Sequence, residues 1–263
     1  MNKTKIEYCD MTWNPITGCL HECKYCYARR IARRFQGFAE EGEKWVDFGE
    51  RETIYDGGES GKLHYLEAQK PITYSKYDKW RIAPFPYGFD PTFHPYRLDE
   101  PAKMKKPQTI FVCSMADLFG DFIPDEWIKA VFDACEKAPW HRYLFLTKNS
   151  TRYRGIKFSQ NMWFGQTITG NSGEYLGRTA GNCFVSIEPL LKKIIARDVW
   201  KYLGWVIIGA ETGNRKGKVI PQREWIEHIV DSCRESNVPI FMKNNLKDIW
   251  REPLIQEYPW EVK

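Results

Sequence analysis

From Thr109 onward, short apolar runs alternate with amphipathic or polar stretches, and this alternation restricts the fold more than any other feature of the chain. The runs are Thr109–Ser114, Tyr143–Lys148, Met162–Thr167, Cys183–Ile187, Trp205–Gly209 and Pro239–Lys243. Each is too short for a buried helix, rich in β-branched or aromatic residues, and largely apolar on both faces, as the strands of a parallel sheet are. After Pro124, residues Trp127, Ile128, Val131, Phe132 and Cys135 form a helical stripe. The same spacing recurs after Pro221 at Trp225, Ile226, Ile229, Val230 and Cys233. Proline presets the backbone of a first helical turn, and the acidic residues that follow each proline suit the positive end of the helix dipole. The crossover from Glu188 to Leu203 has room for a further helix, whereas Asn149–Asn161 and Ile168–Asn182 hold a turn or two. Repeated strand–crossover–strand units imply a parallel sheet with right-handed connections. The expected class is α/β, a partial or complete (β/α) barrel of the TIM type, as one domain over residues 1–263.

The first third reads differently. An extended segment at Ile6–Trp13 leads into a cysteine cluster and then a basic helix from Tyr27 to Phe35. Residues 37–107 show no clean periodicity but hold thirteen aromatic residues, so an ordered insertion or lid is expected there. One strand near Phe89–His94 is expected to join the main sheet.

Composition narrows the class. Hydrophobic residues make up 43% and charged residues 28%, which excludes a disordered or fibrous chain. No apolar run approaches the ~18 residues of a membrane span. The first residues lack the apolar core of a secretory signal, so a cytoplasmic location without membrane association is expected. The net charge of +5 permits a polyanionic partner without requiring one. The 11 tryptophans exceed what one core usually employs, so some are expected to line a pocket or an interface.

The 8 cysteines divide into two kinds. Cys113, Cys135, Cys183 and Cys233 sit inside apolar patterns, and Cys9 lies near the start. Cys19, Cys23 and Cys26 are clustered in Gly18–Ala28, reading GCLHECKYCYA, a C-x3-C-x2-C spacing on a loop that opens a helix. Such thiols in a reducing compartment point to metal before disulfide. One alternative is zinc, with His21 as a fourth ligand in a Cys3His site, although Cys19 and His21 are closer in sequence than usual zinc pairs. The other is an iron–sulfur cluster held by three thiolates, which leaves one iron with an open coordination position.

The cluster resembles that of the radical S-adenosylmethionine (SAM) superfamily, C-x3-C-x-φ-C with φ aromatic and occupied here by Tyr25. The resemblance implies a 4Fe-4S cluster on Cys19, Cys23 and Cys26, with Tyr25 against the adenine of SAM. The open iron would bind the amino and carboxylate groups of SAM, and reductive cleavage would release a 5′-deoxyadenosyl radical. An external electron donor of flavodoxin or ferredoxin type is then implied. A narrower resemblance, to a family of phages and bacteria grouped with radical SAM proteins through its cysteines, rests on a set of motifs. They are Thr12–Cys19, Cys26–Arg30, Arg97–Pro101, Ile110–Phe119, Phe145–Lys148, Phe184–Leu191, Val206–Gly213 and Val238–Asn244. This chain departs from that family's commonest pattern by carrying Cys113 where asparagine is frequent, and by a short stretch between the first two cluster cysteines.

Polar residues collect where the apolar runs end. In a parallel barrel these ends face one mouth, where catalytic groups gather. Ser114, Gln166, Glu188, Glu211 and Lys243 are therefore candidates for contacts with SAM, acidic groups suiting its amino group or ribose hydroxyls. Lys148 and Lys243 suit an anionic group on SAM or substrate. Cys113 is a candidate hydrogen-atom donor or a small core residue, and Asp117 a candidate cap of the turn after its strand. His21 is expected to face solvent if the cluster is iron–sulfur. Arg30, Arg33 and Arg34 share a helix face. With Lys103, Lys105, Lys106 and the aromatic insertion they suit a nucleotide or nucleic-acid substrate. The expected function is radical SAM catalysis. The alternative is a zinc-stabilised, non-catalytic nucleic-acid-binding module.

Overall fold

A computed structural model describes residues 1–35, 52–55, 64–76, 79–157, 159–171, 182–195 and 200–261. The chain divides into two compact units, the first of residues 1–3 and 11–141, the second of residues 4–10 and 142–263. The 37–107 segment falls within the first of these units.

Unit 1 contains β1 (Asn2–Lys3), β2 (Met11–Trp13), β3 (Ile16–Thr17), α1 (Tyr27–Phe35), β4 (Glu52–Tyr55), β5 (His64–Glu67), β6 (Thr73–Lys76) and β7 (Lys79–Ile82). It continues with β8 (Thr92–Phe93), α2 (Glu100–Lys103), β9 (Thr109–Val112) and α3 (Asp125–Glu136). Strand β2 runs parallel to β9, pairing Trp13 with Val112, and β1 lies antiparallel to β2. The β8 strand was expected in this sheet. It belongs instead to a separate sheet ordered β3-β8-β5-β4. The insertion is therefore partly antiparallel β structure, too short-stranded to leave a periodic signature. Of its thirteen aromatics, Phe85, Tyr87 and Phe93 are core residues, and Phe93 stacks on Trp127 with ring centroids 5.2 Å apart. These three are packing groups and not a lid; Phe38, Trp45, Phe48 and Tyr77 lie outside the described residues.

Unit 2 contains β10 (Arg142–Thr147), β11 (Met162–Thr167), β12 (Cys183–Ile187), β13 (Trp205–Ile208), α4 (Arg223–Glu235), β14 (Ile240–Met242) and α5 (Lys247–Trp250). The five strands are parallel and neighbours in chain order, an open row from β10 to β14. The α/β class therefore holds. Among the described residues the crossover from Glu188 carries no α-helix, and it ends in a 3-10 turn at Trp200–Tyr202. The turns of Ile168–Asn182 fall mostly outside the described residues.

Strand alternation gives this sheet two faces with different duties. Val185, Ile187, Val206, Ile208, Ile240 and Met242 pack with Ile226, Ile229 and Cys233 of α4 in one buried cluster. Each such side chain, fully buried, contributes about 1.5–3 kcal/mol before entropy is counted. The opposite face begins with aromatics: Trp205 packs against Phe184, Phe241, Tyr8, Tyr258 and Trp260, with centroids 5.3–6.1 Å away. The tryptophans expected to line a pocket are mostly core here, since Trp13, Trp127, Trp163, Trp200, Trp205 and Trp250 are all buried. No described helix is long and apolar enough to cross a membrane.

Candidate functional site

The cysteine loop of unit 1 is tied down by its backbone. Gly18 has φ +89°, donates its N–H to Met115 O at 2.9 Å, and sits where a Cβ would fall 2.1 Å from Asp90 O. Only glycine permits that approach. Cys19 N–H then bonds Phe89 O at 3.0 Å, and Cys26 N–H bonds Cys23 O at 3.0 Å, a turn that delivers the chain into α1. Arg29 shares a helix side with Cys26 at i+3 and folds back on the loop. Its backbone N–H donates to Cys26 Sγ at 3.3 Å and its guanidinium to Cys19 O at 3.0 Å, lying 5.1 Å from the centroid of Phe89. The Nε of Arg29 is buried and unpartnered.

All eight cysteines are free thiols, and Cys19, Cys23 and Cys26 are half-buried. Burial, joined by the charges of Asp117, Cys23 and Cys26, pushes the Cys19 thiol up to about 12, against a hydrogen bond from the His21 backbone that lowers it. A metal held by thiolates must displace their protons, so any metal uptake by this loop would release protons and strengthen with pH. The donor chemistry, three thiols beside a buried donor without an acceptor, fits an anionic iron–sulfur group. As placed, no group of three or more His, Cys, Asp or Glu side chains among the described residues is gathered to hold a metal ion.

Asp117, expected to cap a turn, does so through Oδ1, which accepts the Phe119 N–H at 3.1 Å. Its Oδ2 lies 2.8 Å from His21 Nε2. His21 was expected to face solvent; it is instead three-quarters buried against Asp117 and the Phe122 ring. Cys113 follows β9 with φ +56°, a left-handed conformation that asparagine tolerates better than most residues. Cys113 is buried, and burial first of all pushes its thiol up to about 12. It is thus a core thiol that stays protonated. Ser114 Oγ donates to Asn14 Oδ1 at 3.2 Å, and its carbonyl accepts the Tyr27 hydroxyl at 2.7 Å. Tyr25 is half-buried on the loop.

The other candidates belong to unit 2. Lys148 is exposed after β10. Register places it with Thr167, Ser186, Glu188 and Lys243 on the face that begins with aromatics, because paired residues of parallel strands point the same way. Gln166 pairs with Val185 and therefore points to the helix side, away from those residues. Lys243 Nζ and Glu188 Oε1 form an ion pair. Gly209 lies between them, where a Cβ would approach Lys243 Cδ to 3.0 Å and Glu188 Cγ to 3.2 Å. Glu211 is buried and holds Arg215 through two bonds of 2.6 and 2.8 Å, which keep its carboxyl below the usual range. Both of its oxygens are occupied in closing its own loop, so the structure gives it a stapling role.

Residues without an assigned role in the sequence also matter. Asn14 Oδ1 accepts both Ser114 Oγ–H and Met115 N–H, joining the exits of β2 and β9. Arg29 turns inward, unlike its basic neighbours; its i+3 spacing from Cys26 was the available signal. A family model described as "Protein of unknown function (DUF5131)" matches residues 3–250. Nothing matches among curated proteins or solved structures.

Proposed function

We propose that this chain, which belongs to that family, is a radical SAM enzyme whose Cys19, Cys23 and Cys26 hold a 4Fe-4S cluster. The observation that carries the reading is the set of three free thiols within eight residues of one backbone-anchored loop, beside the unpartnered Arg29 Nε. When bound and reduced, such a cluster supplies an electron that cleaves SAM to a 5′-deoxyadenosyl radical. Arg29 steadies the loop and offers Nε to the anionic group, and Tyr25 offers a surface for adenine. The parallel strands then belong to a (β/α) barrel, and a flavodoxin- or ferredoxin-like donor of a cytoplasmic cell compartment supplies the electron. A nucleotide or nucleic acid is the proposed substrate, favoured by the exposed Arg30, Arg33 and Arg34 of α1.

Anaerobic reconstitution tests this. Brown protein with roughly four irons is expected, with 5′-deoxyadenosine formed from SAM after reduction. The triple Cys→Ala variant should lose both while remaining folded, since the three side chains are small and only half-buried.

One observation favours a second reading. A metal-ligating histidine characteristically donates its other ring N–H to a carboxylate. The His21–Asp117 pair matches that arrangement and leaves Nδ1 for a Cys3His zinc ion. The protein would then be a zinc-stabilised nucleic-acid-binding module. Stoichiometric zinc without iron uptake selects this reading and overturns the first.

A further inference from the structure

The five strands of unit 2 run parallel, so the chain leaves all of them at one edge of the sheet. The described residues at those exits are 148–154, 168–171, 188–195, 209–219 and 243–246. They carry nine Lys and Arg against two Glu, a net +7, whereas the whole chain carries +5. Both acids are already engaged, Glu188 with Lys243 and Glu211 with Arg215. Lys148, Lys192, Lys193, Lys216 and Lys218 are all exposed on this edge. Like charges gathered in this way repel one another until counter-charge arrives.

The lysines stand on backbone that is fixed beforehand. After β12, the Leu190 N–H donates to Gly209 O at 2.9 Å, and the Leu191 and Lys192 N–H groups both donate to Thr169 O, at 2.9 and 3.2 Å. That lays Lys192 and Lys193 across the exits of β11 and β13. After β13, the buried Glu211 turns its carboxylate inward onto Arg215, whose guanidinium also donates to Lys216 O and Gly217 O. The acid of this loop is consumed inside it, and Lys216 and Lys218 are left outside. A loop held before its partner arrives loses less freedom on binding.

Which partner suits such an edge? Neighbouring strands lie about 4.8 Å apart, so the lysines after β10, β12 and β13 span about 14 Å. One small anion meets one or two of them. About four successive phosphates of a nucleic-acid strand, 3.4 Å apart in a duplex, cover the whole row. An acidic protein is a poorer match, because protein interfaces are depleted in lysine, whereas nucleic-acid interfaces are strongly positive. We propose that the strand-exit edge of unit 2 binds the phosphodiester backbone of a nucleic acid through Lys192, Lys193, Lys216 and Lys218, with Lys148 at one end. This assignment adds a contact region to the nucleic-acid reading of α1 and depends on neither reading of the cysteine loop.

The test titrates the full-length protein with labelled DNA and RNA strands of mixed sequence, and with the DNA duplex, across a salt series. The two single strands and the duplex separate the possible sources of the backbone. Each phosphate contact contributes about −0.7 to the log–log salt slope on a single strand and about −0.9 on a duplex. Changing Lys192, Lys193, Lys216 and Lys218 together to Gln should therefore flatten the slope by about 3 and weaken binding at low salt by about tenfold or more. The four side chains are exposed, so the variant should melt like the parent, which a thermal scan checks. The same flattening is expected in an Arg30→Gln, Arg33→Gln, Arg34→Gln background, which removes the contribution of α1. No binding at low salt, or a lysine variant whose slope and affinity match the parent's, overturns the proposal. So does equal competition by polyglutamate or phosphatidylserine vesicles at matched charge, which would show a surface that senses charge alone. A cluster that assembles normally while these titrations fail removes this inference and leaves the radical SAM reading standing. Lysine-dependent binding by protein that takes up no iron does the reverse.

Discussion

In unit 1 the candidate donors come from one stretch of chain, Gly18–Ala28, pinned by backbone hydrogen bonds to Met115 and Phe89. In unit 2, Ser186, Glu188, Gly209 and Lys243 come from three strands and meet only because the strands are in register. The two regions therefore fail differently. A loop site tolerates loss of its side chains but not of its glycine. A sheet site tolerates change at its polar rim but not in the aromatic floor that holds the strands.

The largest effect is expected in that floor. Trp205→Ala removes the ring around which Phe184, Phe241, Tyr8, Tyr258 and Trp260 pack, and should cost about 3–5 kcal/mol in urea unfolding. A loss below 1 kcal/mol would show that the strands are held without it. Next comes Gly18→Ala, whose Cβ meets the Asp90 backbone at 2.1 Å in a left-handed conformation; about 2–3 kcal/mol is expected, with lower iron uptake. If iron uptake survives unchanged, the loop is not positioned by this turn.

Smaller effects concern protons. His94, fully buried with Thr17 Oγ1 at 2.9 Å from its Nε2, is held neutral well below 6.5, first by burial and then by Arg97. Its unfolded form takes up a proton at about 6.5. Stability should therefore be complete above that pH and decline as pH falls toward the depressed folded value. Melting curves from pH 8 to pH 5 check this, and His94→Gln should flatten the decline. In the metal-free protein at pH 8, Cys19 should be alkylated more slowly than Cys23 or Cys26, and its rate should climb with pH, because its thiol is pushed up to about 12. Peptide-resolved iodoacetamide labelling gives the order; equal rates for all three would mean that the loop opens faster than it reacts.

Much of the fold was legible before any coordinates. The expected helix at Tyr27–Phe35 and the strands at Met162–Thr167 and Cys183–Ile187 occur with those bounds, because apolar periodicity and punctuation by Pro and Gly act locally. The four cysteines in apolar patterns are all buried. The mixed sheet of β3, β8, β5 and β4 was not legible, since two- to four-residue strands carry too little pattern to separate from loop.

The site divides along the same line. The grouping of Cys19, Cys23 and Cys26 is a property of sequence spacing, because residues so close along a chain cannot be far apart in space. Their neighbours are not. Asp117 reaches His21 from 96 residues away, and Lys243 reaches Glu188 from 55. Gln166 and Glu188 looked alike as polar strand ends, yet one residue of register sends Gln166 to the helix side. Glu211 looked free until Arg215 folded back onto it. Spacing and periodicity settle what each segment becomes and which thiols travel together. Only the packed sheet settles which distant charges meet and which face a strand-end residue occupies, because side-chain direction alternates with every residue and pairing register is a tertiary property.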